Sequence, residues 1–128
     1  MRRDLYAHLA PVTTLAPAAR TASATGTGVD LANYDGAVAI VHAGAWTDGT
    51  HTFDVQDSDD NTTFTSVAGD FLSGTEPVVS NSGTAGTVYR IGYHGIRRYV
   101  RVAVTVAGAT TGAVYGAHIV RGYARTKR

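Results

Sequence analysis

The sequence predicts an all-β protein, an antiparallel β-sandwich folded as one domain. Its 128 residues match the usual length of a single domain. The composition is rich in Gly, Thr, Ala and Val, and β-branched residues favour strands because their side chains are stiff at χ1 and suit a pleated surface. Strand-like runs recur between turn residues at spacings of about 8–12 residues, which is typical of a sandwich or barrel.

Two segments carry the clearest strand patterns. Residues 37–43 follow an Asp-Gly turn and are nearly all apolar, which predicts a central strand covered on both faces. In residues 98–106, valines at alternate positions from Val100 to Val106 predict a half-buried antiparallel strand, with 113–122 as its hairpin partner. The other predicted strands are 50–56 paired with 62–67, the short 77–80, and 87–93.

The two ends of the chain differ from this strand-rich middle. Pro11 and Pro17 interrupt any long helix, and residues 22–28 lack periodicity. We therefore predict an extended N-terminal arm over residues 1–28 that leads into a first strand around Thr21–Ala24. The sandwich is predicted over residues 29–122, followed by a basic tail at 123–128.

Charge is distributed unevenly along the chain although the formal net charge is +1. Residues 21–89 hold nine acidic residues and no Lys or Arg, whereas residues 90–128 hold eight cations and no acid. Either the two regions pair within the fold, or a charged surface docks onto a complementary partner. The sequence leaves both interpretations open.

Residues that could carry chemistry do not form a recognisable set. The chain has no cysteine, and its five histidines lack zinc-site spacing. Asp57, Asp59 and Asn61 match the start of an EF-hand loop, but Thr62 replaces the turn glycine and Ala68 the bidentate Glu, so a solvated turn is favoured. No serine has a nucleophile-elbow context, and the Gly-rich Thr25–Gly28 segment precedes a strand. We predict no metal, no cofactor and no enzymatic activity.

The C-terminal third contains one basic and aromatic grouping. Arginines 97, 98 and 101 with Tyr93 and Tyr99 could stack bases and contact phosphate. The favoured interpretation is a sandwich edge whose arginines meet the acidic region, because nine acids elsewhere would repel a polyanion. We therefore predict no nucleic-acid partner. No run of 18 apolar residues predicts a membrane span. The phenylalanines are expected in the core, and Trp46, beside a turn, is compatible with core or surface.

Two resemblances suggest function. The segment Thr52–Phe64 resembles a strand–turn–strand of many sugar-binding sandwich domains, so a carbohydrate-binding module that uses Trp46 is one alternative. A wider pattern resembles small proteins encoded among the head genes of tailed bacteriophages and prophages. The residues that carry it are Gly28–Leu31, Tyr34–Gly36, Val55–Phe64, Tyr89–Tyr93, Arg98–Val102 and Gly112–Ala113.

This second resemblance implies a capsid decoration, or cement, protein with a jelly-roll-like sandwich. Its partners would be the major capsid protein and further copies of itself, as a dimer or trimer. It would lie on the capsid surface of a virion assembled in the bacterial host cytoplasm, with a neck or tail accessory protein as the alternative. The residues expected to contact partners are Arg2, Arg3, Tyr6, Arg20, Arg97, Arg98, Arg101, Arg125 and Arg128.

Overall fold

A computed structural model describes residues 2–124 as eleven strands and three short 3-10 helices. The helices are Tyr6–His8, Gly69–Phe71 and Ser82–Thr84. The strands are β1 (Leu9–Arg20), β2 (Ala24–Thr25), β3 (Val29–Asp30), β4 (Tyr34–Trp46), β5 (Thr50–Ser58), β6 (Thr65–Ser66), β7 (Leu72–Ser73), β8 (Val78–Val79), β9 (Val88–Tyr93), β10 (Tyr99–Ala107) and β11 (Ala113–Ala124).

The strands form two antiparallel sheets. The five-stranded sheet has the order β1-β11-β4-β9-β7, and the six-stranded sheet has β2-β10-β5-β6, with β3 also paired to β10 and β8 to β5. The inner faces of both sheets contribute to one hydrophobic cluster. The predicted all-β, antiparallel sandwich is confirmed.

Alternation along the strands fixes which side chains enter the core. In β10, Val100, Val102 and Val104 are buried as predicted, because residues two apart on a strand share a face. In β5 the same rule buries His51, Phe53 and Val55. Similar alternation on β4 buries Ala39, Val41 and Ala43.

A buried polar pair connects the two sheets at one end of the core. His51 Nδ1 on β5 lies 2.8 Å from the Tyr115 hydroxyl on β11, and His51 Nε2 lies 3.0 Å from the Asp48 carbonyl oxygen. Both ring nitrogens therefore have partners, which offsets the cost of burying them. Phe53 packs edge-on against Tyr115 at 4.9 Å between centroids. Burial raises the pKa of Tyr115 to about 12.

The structure corrects the boundary of the N-terminal arm. Residues 9–20 are not an arm outside the sandwich but strand β1, which is paired along β11 from Leu9 with Gly122 to Arg20 with Ala113. The first strand thus ends where it was predicted to begin, near Thr21. The sequence of β1 shows no regular alternation of apolar and polar residues, because two register shifts, between Thr13 and Leu15 and between Leu15 and Ala18, interrupt it.

β10 and β11 are not the predicted hairpin, since they belong to different sheets. Residues 108–112 cross between the sheets instead. The Asp48 carboxylate holds this crossing by accepting N–H bonds from Thr110, Thr111 and Gly112. Gly112 has a φ of 82°, and a Cβ there would meet the Arg20 carbonyl, so the path requires glycine.

Two further predictions about the core are corrected, and the position of Trp46, which the sequence left open, is settled. Among the residues described, only one face of β4 is fully buried, because Val38 and Ile40 on the other face are partly exposed. Phe71 is largely exposed, since it lies in a 3-10 helix outside the sheets. Trp46 packs partly buried against the core, and its indole N–H donates to the Gly49 carbonyl at 2.9 Å.

Candidate docking surfaces

The charged regions meet within the fold. All three ion pairs among residues 2–124 join Arg97 or Arg98 to an aspartate between residues 30 and 59. Both arginines lie in the loop between β9 and β10, while the aspartates lie on β3 and near the end of β5. Pairing within the fold is therefore confirmed for these groups.

Arg98 and Asp30 form a two-point contact at the sandwich edge. The guanidinium donates from Nε at 2.9 Å and from Nη2 at 2.8 Å to the two carboxylate oxygens. This hydrogen bonding lowers the pKa of Asp30 to about 2 and raises the pKa of Arg98. Planar, bidentate pairing of this kind is specific to arginine.

Arg97 joins a more buried group at the same end. It lies 3.6 Å from Asp57 and 3.1 Å from Asp59, measured between nitrogen and oxygen. Asp57 is nearly buried and accepts a 2.8 Å hydrogen bond from the Tyr93 hydroxyl. Burial, with this carboxylate beside it, raises the pKa of Tyr93. Asp57 and Asp59 thus share Arg97, and Asp57 in addition accepts from Tyr93.

The outer face of the six-stranded sheet carries a connected polar network. Arg101 Nε donates to Gln56 at 2.8 Å, and its guanidinium lies 4.0 Å over the Phe64 ring. Gln56 in turn donates to Asp54, which also accepts from Ser66 at 2.6 Å. Arg101, which was predicted to contact a partner, is thus bound within its own sheet.

The remaining predicted contact residues differ in availability. Arg2, Arg3 and Tyr6 are exposed. Arg20 is partly buried; its Nη2 donates to the Ala16 carbonyl, while its Nε has no hydrogen-bond partner among the residues described. Arg125 and Arg128 lie outside the described residues.

An exposed apolar patch joins the two ends of the described chain. The 3-10 helix Tyr6–His8 directly precedes β1 and lies beside the end of β11, because Leu9 pairs with Gly122. We call this surface the terminal patch, and its members line adjoining grooves. It consists of Leu5, Tyr6, Leu9 and Tyr123, whose exposed fractions are 66, 94, 42 and 81%.

Tyr123 occupies the patch at a backbone cost. Its φ of 55° lies in the left-handed region, which aromatic residues rarely adopt. Its ring lies over Gly36, where a Cβ would be 2.8 Å from the ring carbon Cδ2. A side chain at residue 36 would push the ring away, so the glycine in the Asp-Gly pair permits this placement.

A second unusual surface is the outer face of the five-stranded sheet. Pairing aligns its side chains in rows across β1, β11, β4 and β9. One row runs Pro11, Val120, Val38, Gly92, the next runs Thr13, His118, Ile40, Arg90, and a third contains Gly116, His42 and Val88.

This outer face has no acidic residue in these rows and one permanent charge, Arg90. The side chains of Arg90, His42 and His118 form no hydrogen bond or ion pair with the part of the chain that the structure describes. Exposed sheet faces are ordinarily polar, so a face of Val and Ile with unpaired polar groups is atypical of a surface in water.

Comparison with known protein families and with curated proteins finds no match.

Within residues 2–124, no three side chains of His, Asp or Glu converge in a way that could hold a metal ion. The same residues include no helix long and apolar enough to cross a membrane. The sequence singled out cations as contacts and missed Leu5, Leu9 and Tyr123. Their signal was weak, because isolated apolar residues near chain ends are common on surfaces.

Proposed function

We propose that this protein is a non-enzymatic structural component of a phage virion that decorates and stabilises the capsid. The terminal patch is the observation that carries this proposal. It gathers four exposed apolar side chains where both chain ends emerge, with the exposed Arg2 and Arg3 beside them in sequence. Large exposed aromatic and aliphatic side chains are the groups that anchor protein interfaces.

The proposed partner is a capsid subunit surface that combines an apolar pocket with carboxylates. Tyr6 and Tyr123 would enter the pocket, and Arg2 and Arg3 would pair with the acids and set the register. Binding to assembled subunits stabilises the shell by mass action, because the protein leaves when the joint opens. Consecutive long strands β4 and β5, and β9, β10 and β11, alternate between sheets, which supports jelly-roll connectivity within this proposal.

The sugar-binding alternative has less support. Its main candidate, Trp46, is partly buried against the core and donates its N–H to Gly49, so the indole face is not an open platform. A neck or tail accessory protein could dock through the same terminal patch. Localising the protein on the virion distinguishes this alternative from capsid decoration.

The test measures retention on purified heads of the phage or prophage that encodes the chain. Because β1 is part of the sheet, deletion to residue 20 would damage the fold, and point variants are needed. We expect the double variant Tyr6→Ser, Tyr123→Ser to lose at least tenfold in occupancy, since anchoring aromatics dominate interface affinity. The matched control is Val78→Ser, an exposed aliphatic residue on the six-stranded sheet.

Heads that fail to bind the unaltered protein would exclude capsid decoration. Equal occupancy by the double variant and the unaltered protein would instead exclude the terminal patch as the contact.

A further inference from the structure

The outer face of the five-stranded sheet exposes apolar side chains that the sequence pattern predicts to be buried. Residues 37–43 have the apolar pattern of a strand covered on both faces, yet residues 2–124 bury only the face of Ala39 and Val41. Val38 and Ile40 on the other face are left partly exposed. We propose that a second copy of this chain packs on this outer face and forms a symmetric dimer.

The edge strands are poorly suited to backbone pairing between two copies of the chain. The edge strand β1 carries Pro11 and Pro17, which have no N–H to donate, and two register shifts that distort its outer edge. The strand at the opposite edge, β7, is two residues long. Edge strands β2, β3, β6 and β8 of the other sheet are equally short. Copies of this chain can therefore meet through faces rather than by extending a sheet.

The second sheet's outer face is a poor alternative. Arg101, Gln56 and Asp54 are already bound to one another there, so covering them would remove water without supplying new partners. On the five-stranded sheet, the corresponding positions are mainly valine, isoleucine and glycine. Burial of these apolar groups is favourable, and the polar side chains of the rows, Thr13, His42, Arg90 and His118, would take their partners from the second copy.

The size of this face suits a dimer. The four strands, spaced about 4.8 Å apart, give a width of about 19 Å. At about 3.3 Å per residue, the face is about 20 Å long at β9, which has 6 residues, and about 40 Å long along β1, β11 and β4, which have 12, 12 and 13. The two copies together would bury roughly 1,300 Å², above the roughly 1,000 Å² expected of a specific interface.

The rows are complementary to themselves. A two-fold axis along the strands, between β11 and β4, places each row against its own reverse. Val38 then opposes Val120 of the second copy, and Ile40 opposes His118. Arg90, at one end of its row, opposes the hydroxyl-bearing Thr13 at the other end, so the two arginines stay apart. Such closed two-fold pairing is the commonest form of protein assembly.

The first test measures the mass of the whole protein in solution by sedimentation over a range of concentrations. We expect twice the 13.3 kDa chain mass. Ile40→Asp should raise the dissociation constant on the order of 30-fold or more, because it places a charge at the centre of an apolar interface. Val78→Asp, an exposed aliphatic residue on the other sheet, should leave the constant unchanged.

A second measurement does not depend on a disruptive substitution. The chain has no cysteine, so His42→Cys introduces a single thiol on the proposed interface and Thr105→Cys a single exposed thiol on the other sheet. A short bifunctional maleimide should cross-link the first variant into dimers and leave the second monomeric.

A mass of 13.3 kDa up to millimolar concentration would overturn the proposal. Any cover on this face would then have to be a different protein. Cross-linking through Thr105→Cys but not His42→Cys would also overturn it. Neither readout involves phage heads, so this proposal and capsid decoration can fail separately.

Discussion

On the outer face of the six-stranded sheet, Arg101, Gln56 and Asp54 form a chain of hydrogen bonds that ends at Ser66. On the outer face of the five-stranded sheet, Arg90 and two imidazoles find no such partner among the described residues, and valine and isoleucine fill the rows between them. Both faces contain charge, so charge content does not separate them. The satisfaction of polar groups within a face distinguishes a surface suited to water from one suited to a partner.

The largest expected effect tests whether pairing within the fold stabilises the monomer. Asp57 is the most buried aspartate of the ion pairs and bonds to Tyr93 across the two sheets. Asp57→Ala should lower the free energy of unfolding by about 2–3 kcal/mol, because it leaves a buried hydroxyl without an acceptor. Chemical denaturation at pH 7 measures this loss.

The matched control is Asp59→Ala. This carboxylate binds the same arginine but is exposed, so its removal should cost less than about 1 kcal/mol. Equal losses from the two variants would contradict the assignment of stability to the buried hydrogen bond.

How much of this architecture the sequence predicts depends on the regularity of each strand. β5, β9 and β10 were predictable because their alternation is unbroken and their turns contain Gly, Asp or Asn. β1 was not, because its two shifts break the period and its prolines suggest a break in regular structure. Membership of β10 and β11 in different sheets depends on the bonds of Asp48 to residues 110–112, which lie far apart in sequence.

The docking surfaces were predictable only in part. Exposure of Arg2, Arg3 and Tyr6 agrees with a contact role, which remains a prediction. Arg97 and Arg98 look the same in sequence as free cations, and only the fold brings Asp30 and Asp57 to them. The segment 37–43 is apolar on both faces, and the described residues bury only one of them. Its sequence therefore did indicate that the other face is a docking surface.

An intermediate effect tests a point where the network of the six-stranded sheet is imperfect. Glu76 accepts the Val55 N–H at 2.5 Å but also meets the Asp54 carboxylate. Burial and this second acid raise the pKa of Glu76. A raised folded-state pKa means that stability is full below about pH 4.3, the ordinary pKa of Glu, and falls as the pH rises through the raised value.

Glu76→Gln should therefore raise the thermal midpoint at pH 7 and have no such effect at pH 4. The amide keeps an acceptor for Val55 and gains a donor for Asp54. Asp70→Asn, which removes an exposed carboxylate elsewhere, should leave the midpoint unchanged at both pH values. A change in midpoint from the unaltered protein that is the same at pH 4 and pH 7 would show that the two carboxylates do not share this environment.

The smallest expected effect concerns the pair of Arg98 and Asp30. Its depressed pKa of about 2 means that the contribution to stability is present above about pH 3.9, the ordinary pKa of Asp, and is lost as the pH falls through about 2. Both side chains are substantially exposed, so Arg98→Gln should cost little stability at pH 7. Carboxyl titration by NMR should nevertheless show the pKa of Asp30 return towards 3.9.

A large titration shift with a small stability loss would mean that this pair neutralises the sandwich edge more than it stabilises the fold. Arg98→Lys serves as the control, because it keeps the charge but not the two-point geometry. If the pKa of Asp30 in Arg98→Gln equals that in the unaltered protein, the low value is due to the Ala32 N–H, which also donates to this carboxylate. The pairing of Arg98 would then add nothing measurable at this edge, and the contrast between self-paired and unpaired charge would rest on the outer faces of the two sheets alone.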